Sequence, residues 1–315
     1  MSSLVPTDRA LHVVMYHYVR DIPRSRFPRI HGMLTADCAA QVELLSQRYE
    51  MASLELSLAF LRGEYTPTRD LCLLTFDDGL AEHYTDVLPI LARRNIQGVF
   101  GVISSCLEES KVALVHKNHF LIASLDFDQY QSEFLRLLHE VDPESGDAAI
   151  NLQVPAGVYR WDLPQVAAFK YLLNFQLAEP IKGKVLDALF ARHLGDEAEF
   201  ARELYLNWDQ AREMQQAGML IGGHTHRHQA LSTLSDREQI DDLTACMRIL
   251  KVRLREQPCW PFTYPYGKRI SYNAHSVHVL RELGYCCAFS TEVGENRVEQ
   301  DLFAIRRFDP KDIRN

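Results

Sequence analysis

Short apolar runs that alternate with helical patterns are the feature of this sequence that most constrains its fold. Residues 71–76 (LCLLTF) show no polar alternation, which is typical of a strand buried on both faces of a sheet. About seven such runs are separated by helical patterns, so the sequence predicts an α/β protein whose parallel strands form a βα barrel or an open doubly wound sheet. The runs lie at residues 11–17, 71–76, 99–103, 219–221, 262–264, 286–289 and 303–305. In either architecture, functional residues gather at the carboxyl ends of the strands.

Residues 104–206 differ from the rest of the chain because they show helical patterns without comparable strand runs. We therefore predict that residues 1–103 and 207–315 form the parallel-sheet domain and that residues 104–206 form a largely helical insertion or lid. A helical extension that only supports the sheet is the alternative that the pattern leaves open. Helices are predicted in this stretch at residues 129–139, 166–177, 185–193 and 197–204, and elsewhere at residues 35–49 and 82–94 and after the caps Ser235 and Asn273.

Charge and composition exclude several classes of partner. The chain has 34 basic and 42 acidic residues and no block of Lys or Arg, so it lacks the basic surface that nucleic acids or anionic membranes require. No apolar run approaches the ~18 residues of a membrane span, and residues 1–10 lack the basic and apolar regions of a signal peptide. Seven cysteines without a CxxC pair fit a reducing compartment. We therefore expect a cytoplasmic protein.

Two adjacent carboxylates follow a buried run in the segment 75–79 (TFDDG). Because side chains alternate along a strand, Asp77 and Asp78 point to opposite sides, and one can hold a cation while the other faces a second position in the same site. Gly79 allows a tight turn where a side chain would block a ligand. A solvated turn is the alternative, since Asp-Asp-Gly is also common in turns.

Three histidines lie within the segment 224–228 (HTHRH), directly after a pair of glycines at the end of a predicted strand. His224 and His228 are four residues apart, so on a helical turn both imidazoles lie on one face and can bind one metal ion. Two histidines and one carboxylate form a common ligand set for a catalytic divalent metal, for which zinc is the default and cobalt, nickel or iron also fit. His226 lies on another face and is expected to be a supporting or surface residue.

The segment 262–267 (FTYPYG) places a Pro-aromatic-Gly turn at the end of another predicted strand. Such a turn can present a backbone N–H and an aromatic wall to a ligand, although the segment alone is a generic turn. We therefore take Tyr264, Pro265 and Tyr266 as candidate ligand contacts. The chain has no GxSxG motif and no phosphate-binding glycine loop, so a serine hydrolase or a nucleotide-dependent enzyme is not expected.

In this order, the segments TFDDG, HTxxH and YPYG resemble the polysaccharide deacetylase family, also known as carbohydrate esterase family 4 or the NodB homology domain. The opening residues 16–19 (YHYV), together with residues 27–49, are similar to one branch of that family. This branch includes deacetylases of poly-N-acetylglucosamine and other surface polysaccharides. The resemblance covers roughly residues 11–103 and 207–308. It implies a distorted (β/α)7 barrel that uses one divalent metal to hydrolyse the N-acetyl groups of aminosugars.

The resemblance also implies roles for the motif residues. Asp78, His224 and His228 would be the metal ligands, and Asp77 would be the general base that takes a proton from the attacking water. The metal would polarise the acetamide carbonyl. The backbone N–H of Tyr266 would help to stabilise the negative charge of the tetrahedral intermediate.

Two departures from the family pattern concern the surroundings of the catalytic aspartate. Many members carry an arginine where this chain has Tyr264, and that arginine orients the aspartate. Arg306 or Arg307 is expected to substitute for it here. The usual C-terminal Leu-x-His motif, which supplies the general acid, is absent because no histidine follows His278. His17 on the first strand is expected to fill that role, with a buried structural histidine as the alternative.

The leading hypothesis is a metal-dependent N-deacetylase, an amide hydrolase that acts on an N-acetylhexosamine-containing glycan or glycoconjugate precursor. Without a secretion signal, a nucleotide-, lipid- or oligosaccharide-linked sugar is favoured over a finished cell-wall polymer. A metal-dependent amidase for a small N-acyl compound and a glycan-binding protein whose catalysis has decayed are the alternatives. Aromatic residues at 159–161, 208 and 260 can offer faces to a sugar but are more often core residues. No role is assigned to the histidines of the insertion, which are His116, His119, His139 and His193.

Overall fold

Seven parallel strands form one sheet. The computed structural model describes residues 8–148 and 159–313. Its strands are β1 (Leu11–Tyr16), β2 (Glu50–Met51), β3 (Leu71–Phe76), β4 (Gly98–Val102), β5 (Leu220–Gly223), β6 (Trp260–Thr263) and β7 (Tyr285–Phe289). The strand order is β1-β3-β4-β5-β6-β7, and β2 pairs with the start of β3. All of these pairs are parallel, which confirms the predicted α/β class.

The C-terminal segment bridges the gap between the first and the last strand in this order. Phe308 forms a parallel bridge to Val14 of β1, and Ile305 forms one to Phe289 of β7. With this segment in place, the sheet takes the form of the predicted distorted (β/α)7 barrel. The prediction of a strand at residues 303–305 was wrong, because the segment makes an isolated bridge there instead of a ladder. The two-residue strand β2 was missed, since so short an element carries no periodicity.

Helices follow most of the strands, as the sequence predicted. They are α1 (Thr35–Arg48), α2 (Leu54–Leu61), α3 (Leu88–Ala92), α4 (Ser104–Glu109), α5 (Leu114–Ser124), α6 (Phe127–Val141), α7 (Pro143–Ala148), α8 (Pro164–Tyr171), α9 (Glu179–His193), α10 (Glu197–Leu204), α11 (Trp208–Gln216), α12 (Asp236–Arg253) and α13 (Ala274–Glu282). A π-helical turn, His83–Val87, leads into α3. Both predicted caps are confirmed, since Ser235 begins α12 and Asn273 begins α13, each with a capping box.

Helices α5, α6, α8, α9 and α10 share an aromatic core. Ring centroids of Phe120 and Phe200 lie 4.9 Å apart, and those of Phe190 and Phe200 lie 5.1 Å apart. The same core continues into the N-terminal part of the chain through Phe27, whose ring lies 4.7 Å from that of Phe120. Within the described part of residues 104–204, all regular elements are helical. The division of the chain into a barrel and an insertion stays a prediction.

Three further observations concern membrane-spanning helices, disulfides and the N-terminus. Among the described residues, no helix combines the length and the apolar character that crossing a bilayer requires. All seven cysteines are unpaired. Residues 1–7, on which the expected absence of a signal peptide partly rests, lie outside the described residues.

Candidate metal and catalytic site

The carboxyl ends of the strands open into a cavity of about 620 Å³. Asp77 and Asp78 line it after β3, and His17 lines it after β1. His224 follows β5, and Tyr264 follows β6. The three motifs therefore meet at one edge of the sheet, as expected for parallel strands.

Asp78, His224 and His228 bring three ligand atoms together. The Nε2 atom of His224 lies 3.3 Å from Asp78 Oδ1, and the Nε2 atom of His228 lies 3.4 Å from the same oxygen. All three side chains are buried. The segment 224–228 is not the helical turn that the sequence predicted. Instead, left-handed backbone at Thr225 (φ 62°) and His228 (φ 56°) turns the chain so that the two imidazoles converge.

The donor set fits a divalent metal. The ligand atoms of the three residues lie within 4.8 Å of one another. Asp78 Oδ1 is buried and has no hydrogen-bond partner among the described residues. A buried, ionised oxygen in this state is costly unless a cation meets it. Two imidazole nitrogens and one carboxylate oxygen are also the donors that zinc and related metals prefer.

Burial and the contacts among these residues shift their pKa values. Burial alone would raise the pKa of Asp78, but His116, His224 and His228 hold that pKa well below its usual range. Burial lowers the pKa of His228 to about 4, against the opposing effect of Asp78. Burial likewise acts to lower the pKa of His224, but Asp78 and Asp77 outweigh it and raise that pKa. At neutral pH, Asp78 is therefore an anion and His228 is neutral, which are the states in which both groups bind a metal.

Two further contacts orient the candidate ligands. His224 Nδ1 lies 2.7 Å from the carbonyl oxygen of Thr263, so its N–H donates there and leaves the Nε2 lone pair free. His116 Nε2 lies 3.1 Å from Asp78 Oδ2. His116, to which the sequence analysis assigned no role, is fully buried and reaches the candidate metal ligand. Nothing in the local sequence signalled it, since His116 lies 38 residues from Asp78 and has no ligand-like spacing.

Arg307 is the predicted arginine that contacts Asp77. Its Nη1 atom donates a hydrogen bond to Asp77 Oδ1 (2.9 Å), and its Nη2 atom lies 2.8 Å from Oδ2 without hydrogen-bond alignment. The guanidinium also donates to Thr75 Oγ1 (3.1 Å) and to the carbonyl of Ser290 (2.7 Å). Arg307 is fully buried, whereas Arg306 is exposed. Of the two predicted candidates, only Arg307 lies beside the carboxylate.

The charge of Asp77 follows from this pairing. Burial alone would raise the pKa of Asp77, but Arg307, with smaller contributions from His224 and His17, lowers it to about 2. The carboxylate is therefore ionised at every pH at which the protein would work. It can accept a proton without first losing one.

His17 lies at the mouth of the cavity and is not the buried histidine of the alternative interpretation. Its side chain is 44% exposed, and its Nε2 atom lies 3.8 Å from Asp77 Oδ2. Its backbone carbonyl lies 3.0 Å from His83 Nε2, in the π-helical turn before α3. The sequence did not indicate this buried partner. His17 is therefore held by its backbone while its ring faces the cavity.

The turn at residues 264–266 contributes both to the packing of the interior and to the lining of the cavity. Tyr264 is buried, stacks on Tyr272 at 3.9 Å between ring centroids, and donates its hydroxyl to the carbonyl of Phe303. The ring of Tyr266 lies 5.1 Å from that of His228. Tyr264 and Tyr266 line the cavity, and Pro265 is not part of its described lining. Tyr266 therefore packs against one of the candidate metal ligands.

Residues 159–162 of the predicted insertion form another wall of the cavity. Arg160 forms an ion pair with Asp312 at 2.9 Å, so this wall is tied to the C-terminal segment. Trp161 lines the cavity with 49% of its surface exposed. Arg160 Cζ lies 5.1 Å and Lys311 Nζ lies 5.3 Å from its ring centroid. Among the aromatic candidates, Trp161 is therefore accessible to a ligand.

Part of the chain matches a known protein family. Residues 185–288 match the model of the family described as polysaccharide deacetylase, a range that contains the second and third motifs but not residues 75–79. The YxkH protein of Bacillus subtilis (strain 168), whose name assigns it to the polysaccharide deacetylases, is 26% identical over 103 residues. That alignment covers 33% of this chain, and the chain spans only about a third (36%) of the curated relative.

Three solved structures share the fold across most of the chain. The Streptococcus pyogenes deacetylase PplD, in complex with acetate, has a TM-score of 0.59 and 16% identity, covering 97% of this chain and 93% of its own. IcaB from Ammonifex degensii has a TM-score of 0.56 and 18% identity, covering 95% and 91%. The BpsB deacetylase domain from Bordetella bronchiseptica has a TM-score of 0.53 and 17% identity, covering 97% of each chain. Together with the family match, these findings confirm the resemblance to polysaccharide deacetylases.

Proposed function

We propose that this protein is a metal-dependent amide hydrolase that removes N-acetyl groups from an N-acetylhexosamine-containing glycan or glycoconjugate. One observation carries the proposal: the ligand atoms of Asp78, His224 and His228 converge beside a separate, ionised Asp77 in an accessible cavity. The resemblance to polysaccharide deacetylases supports the substrate class. Zinc is the proposed metal, because it is the default for a site of this composition.

The catalytic roles are assigned to groups of residues that line the cavity. A divalent cation, when bound, would polarise the acetamide carbonyl and acidify the attacking water. Asp77 would accept the water proton as the oxygen bonds to the acetyl carbon, because Arg307 keeps its carboxylate ionised. His17 would give a proton to the amine as the carbon–nitrogen bond breaks. The backbone N–H of Tyr266 would stabilise the oxyanion.

The cavity favours a chain end or a small glycoconjugate over the interior of a polymer. Its volume of about 620 Å³ is in the range of small-molecule sites. The ion pair between Arg160 and Asp312 ties two walls together, whereas a polymer would need an open groove. Trp161 offers an exposed aromatic surface at this wall, and sugars commonly pack on such surfaces. Seven unpaired cysteines support the proposal that the protein works in a reducing compartment.

The decisive experiment is acetate release by zinc-loaded protein, with and without a chelator. Substrates would be N-acetylglucosamine oligomers, nucleotide-linked N-acetylhexosamines and simple acetamides. The variant Asp77→Asn keeps the size of the side chain but removes the base, so it should retain zinc and lose turnover. Asp209→Asn is the matched control, since Asp209 is exposed on α11. Full activity of Asp77→Asn would contradict the proposed mechanism.

The same panel separates the alternatives. Preference for simple acetamides would favour an amidase for small N-acyl compounds. Sugar binding without acetate release, unchanged in Asp77→Asn, would favour a binding protein whose catalysis has decayed. The arginine missing at position 264 motivated that last alternative, and the contact of Arg307 with Asp77 weakens it.

A further inference from the structure

His116 extends from the helices of the predicted insertion to the candidate metal ligands. It lies on α5 and is fully buried. Its Nε2 atom is 3.1 Å from Asp78 Oδ2, and its Nδ1 atom is 2.5 Å from the hydroxyl of Tyr205, which follows α10. The imidazole therefore connects a carboxylate on the sheet with a phenol on the insertion. The proposed catalytic steps use neither His116 nor Tyr205.

The contacts of Tyr205 indicate the direction of the hydrogen bonds. The backbone N–H of Ala113 donates to the Tyr205 hydroxyl oxygen at 3.1 Å, so the O–H of Tyr205 is free to donate to His116 Nδ1. With Nδ1 acting as acceptor, Nε2 of the neutral imidazole carries the hydrogen. It donates that hydrogen to Asp78 Oδ2. These three donor–acceptor assignments correspond to the tautomer of His116 that carries its hydrogen on Nε2.

The two oxygens of Asp78 therefore have different surroundings. Oδ2 accepts a hydrogen bond from His116. Oδ1 lies 3.3 Å from Nε2 of His224 and 3.4 Å from Nε2 of His228, and it has no hydrogen-bond partner among the described residues. Without a donor on Oδ2, the carboxylate could rotate about its Cβ–Cγ bond and turn Oδ1 away. A donor on the outer atom of a ligand commonly raises metal affinity by fixing its orientation.

We propose that His116, oriented by Tyr205, is a positioning residue that holds the Asp78 carboxylate so that Oδ1 faces the divalent metal. The inference rests on the proposed metal site. It gives residues 104–206 a role in the metal centre itself, beyond that of a lid or a support. In the same way, Thr263 on β6 orients His224 from the barrel side.

The test is the zinc affinity of metal-free protein, measured by competition with a chromophoric chelator and without substrate. His116→Leu removes the donor and should weaken zinc binding ~10–100-fold. His116→Gln restores an N–H close to the position of Nε2 and should recover most of the affinity. Tyr205→Phe should weaken binding less than His116→Leu, because the imidazole remains. His193→Gln is the control, since His193 lies on α9 and pairs with Glu133.

Each outcome decides the inference. A folded His116→Leu protein with parental zinc affinity would overturn it. If His116→Gln binds zinc as weakly as His116→Leu, the positioning role would be overturned in favour of direct ligation by the imidazole. If His116→Leu does not fold, a loss of zinc affinity in His116→Gln would lead to the same conclusion. A parent chain that binds no divalent metal would overturn both this inference and the proposed function. Zinc binding by the parent without acetate release would overturn the proposed function alone.

Discussion

Replacing Arg307 by methionine should raise the pKa of Asp77 and destabilise the protein. Arg307 is fully buried, and its guanidinium contacts both oxygens of Asp77, the hydroxyl of Thr75 and the carbonyl of Ser290. Methionine fills similar space but carries no charge and no donor. The substitution therefore leaves Asp77 as a buried carboxylate without its partner, which is among the most destabilising changes known for single residues.

The size of the effect follows from the pKa of Asp77. Burial opposes ionisation of Asp77, but its surroundings, chiefly Arg307, lower its pKa from 3.8 to about 2. This shift corresponds to about 2.5 kcal/mol of net stabilisation of the ionised carboxylate. Breaking a buried pair by removing one partner costs ~3–5 kcal/mol. Because the pKa is depressed in the folded state, this stabilisation is fully present above pH 3.8 and is lost as the pH falls through about 2.

Two measurements check this prediction. Urea unfolding at pH 7 should show Arg307→Met to be ~3–5 kcal/mol less stable than the parent. In a pH series of kcat/KM for acetate release, the acid limb should move to higher pH, because burial without the guanidinium raises the pKa of Asp77. Arg307→Lys keeps a cation and should shift the limb less. An Arg307→Met protein with the parental stability and the parental acid limb would refute the reasoning.

A double variant guards against a simple packing defect. Asp77→Asn/Arg307→Met removes both charges of this pair, so it should recover part of the stability that Arg307→Met loses. If the loss came only from the shape of the methionine side chain, the double variant would be at least as unstable as the single one. That result would contradict the electrostatic explanation.

Three other changes test separate parts of the structure. His17→Gln should lower kcat by ~10²–10⁴-fold and leave zinc affinity unchanged, since His17 approaches Asp77 and not the candidate metal ligands. An unchanged kcat in the acetate assay would exclude His17 as the general acid. Trp161→Ala should raise KM for a sugar substrate with little change in kcat, and an unaltered KM would mean that the exposed ring does not contact the sugar. Ser235→Ala removes the cap of α12 and should cost ~1 kcal/mol in urea unfolding, whereas no change would show that the capping box contributes nothing.

The three motifs could be predicted to lie together because each directly follows a strand of a parallel sheet. Asp78 follows β3, His224 follows β5 and Tyr264 follows β6, and the carboxyl ends of such strands meet at one edge. This rule needs only local patterns, so it succeeds without knowledge of the packing. It does not specify which atoms face one another.

The segment 224–228 illustrates the limit of spacing arguments. The four-residue spacing of His224 and His228 predicted a helical turn, whereas the structure has a tight loop with left-handed backbone at Thr225 and His228. Both conformations bring the two rings to one side. The sequence therefore predicted the convergence correctly and the backbone wrongly, because the pattern is compatible with either geometry.

Local sequence by itself determined the parallel strands, the helix caps at Ser235 and Asn273 and the placement of the motifs at strand ends, since these depend on near neighbours in the chain. Tertiary structure alone decided which partners each carboxylate has. Arg307 lies 230 residues from Asp77 and His116 lies 38 residues from Asp78, and no periodicity connects residues so far apart. Their contacts exist because the C-terminal segment bridges β7 and β1 and because the helices within residues 104–204 share a core with residues that follow the strands, such as Leu80 and Ile103. The physical reason is that burying a charge requires a partner, and only the packed fold determines which distant side chain can reach it.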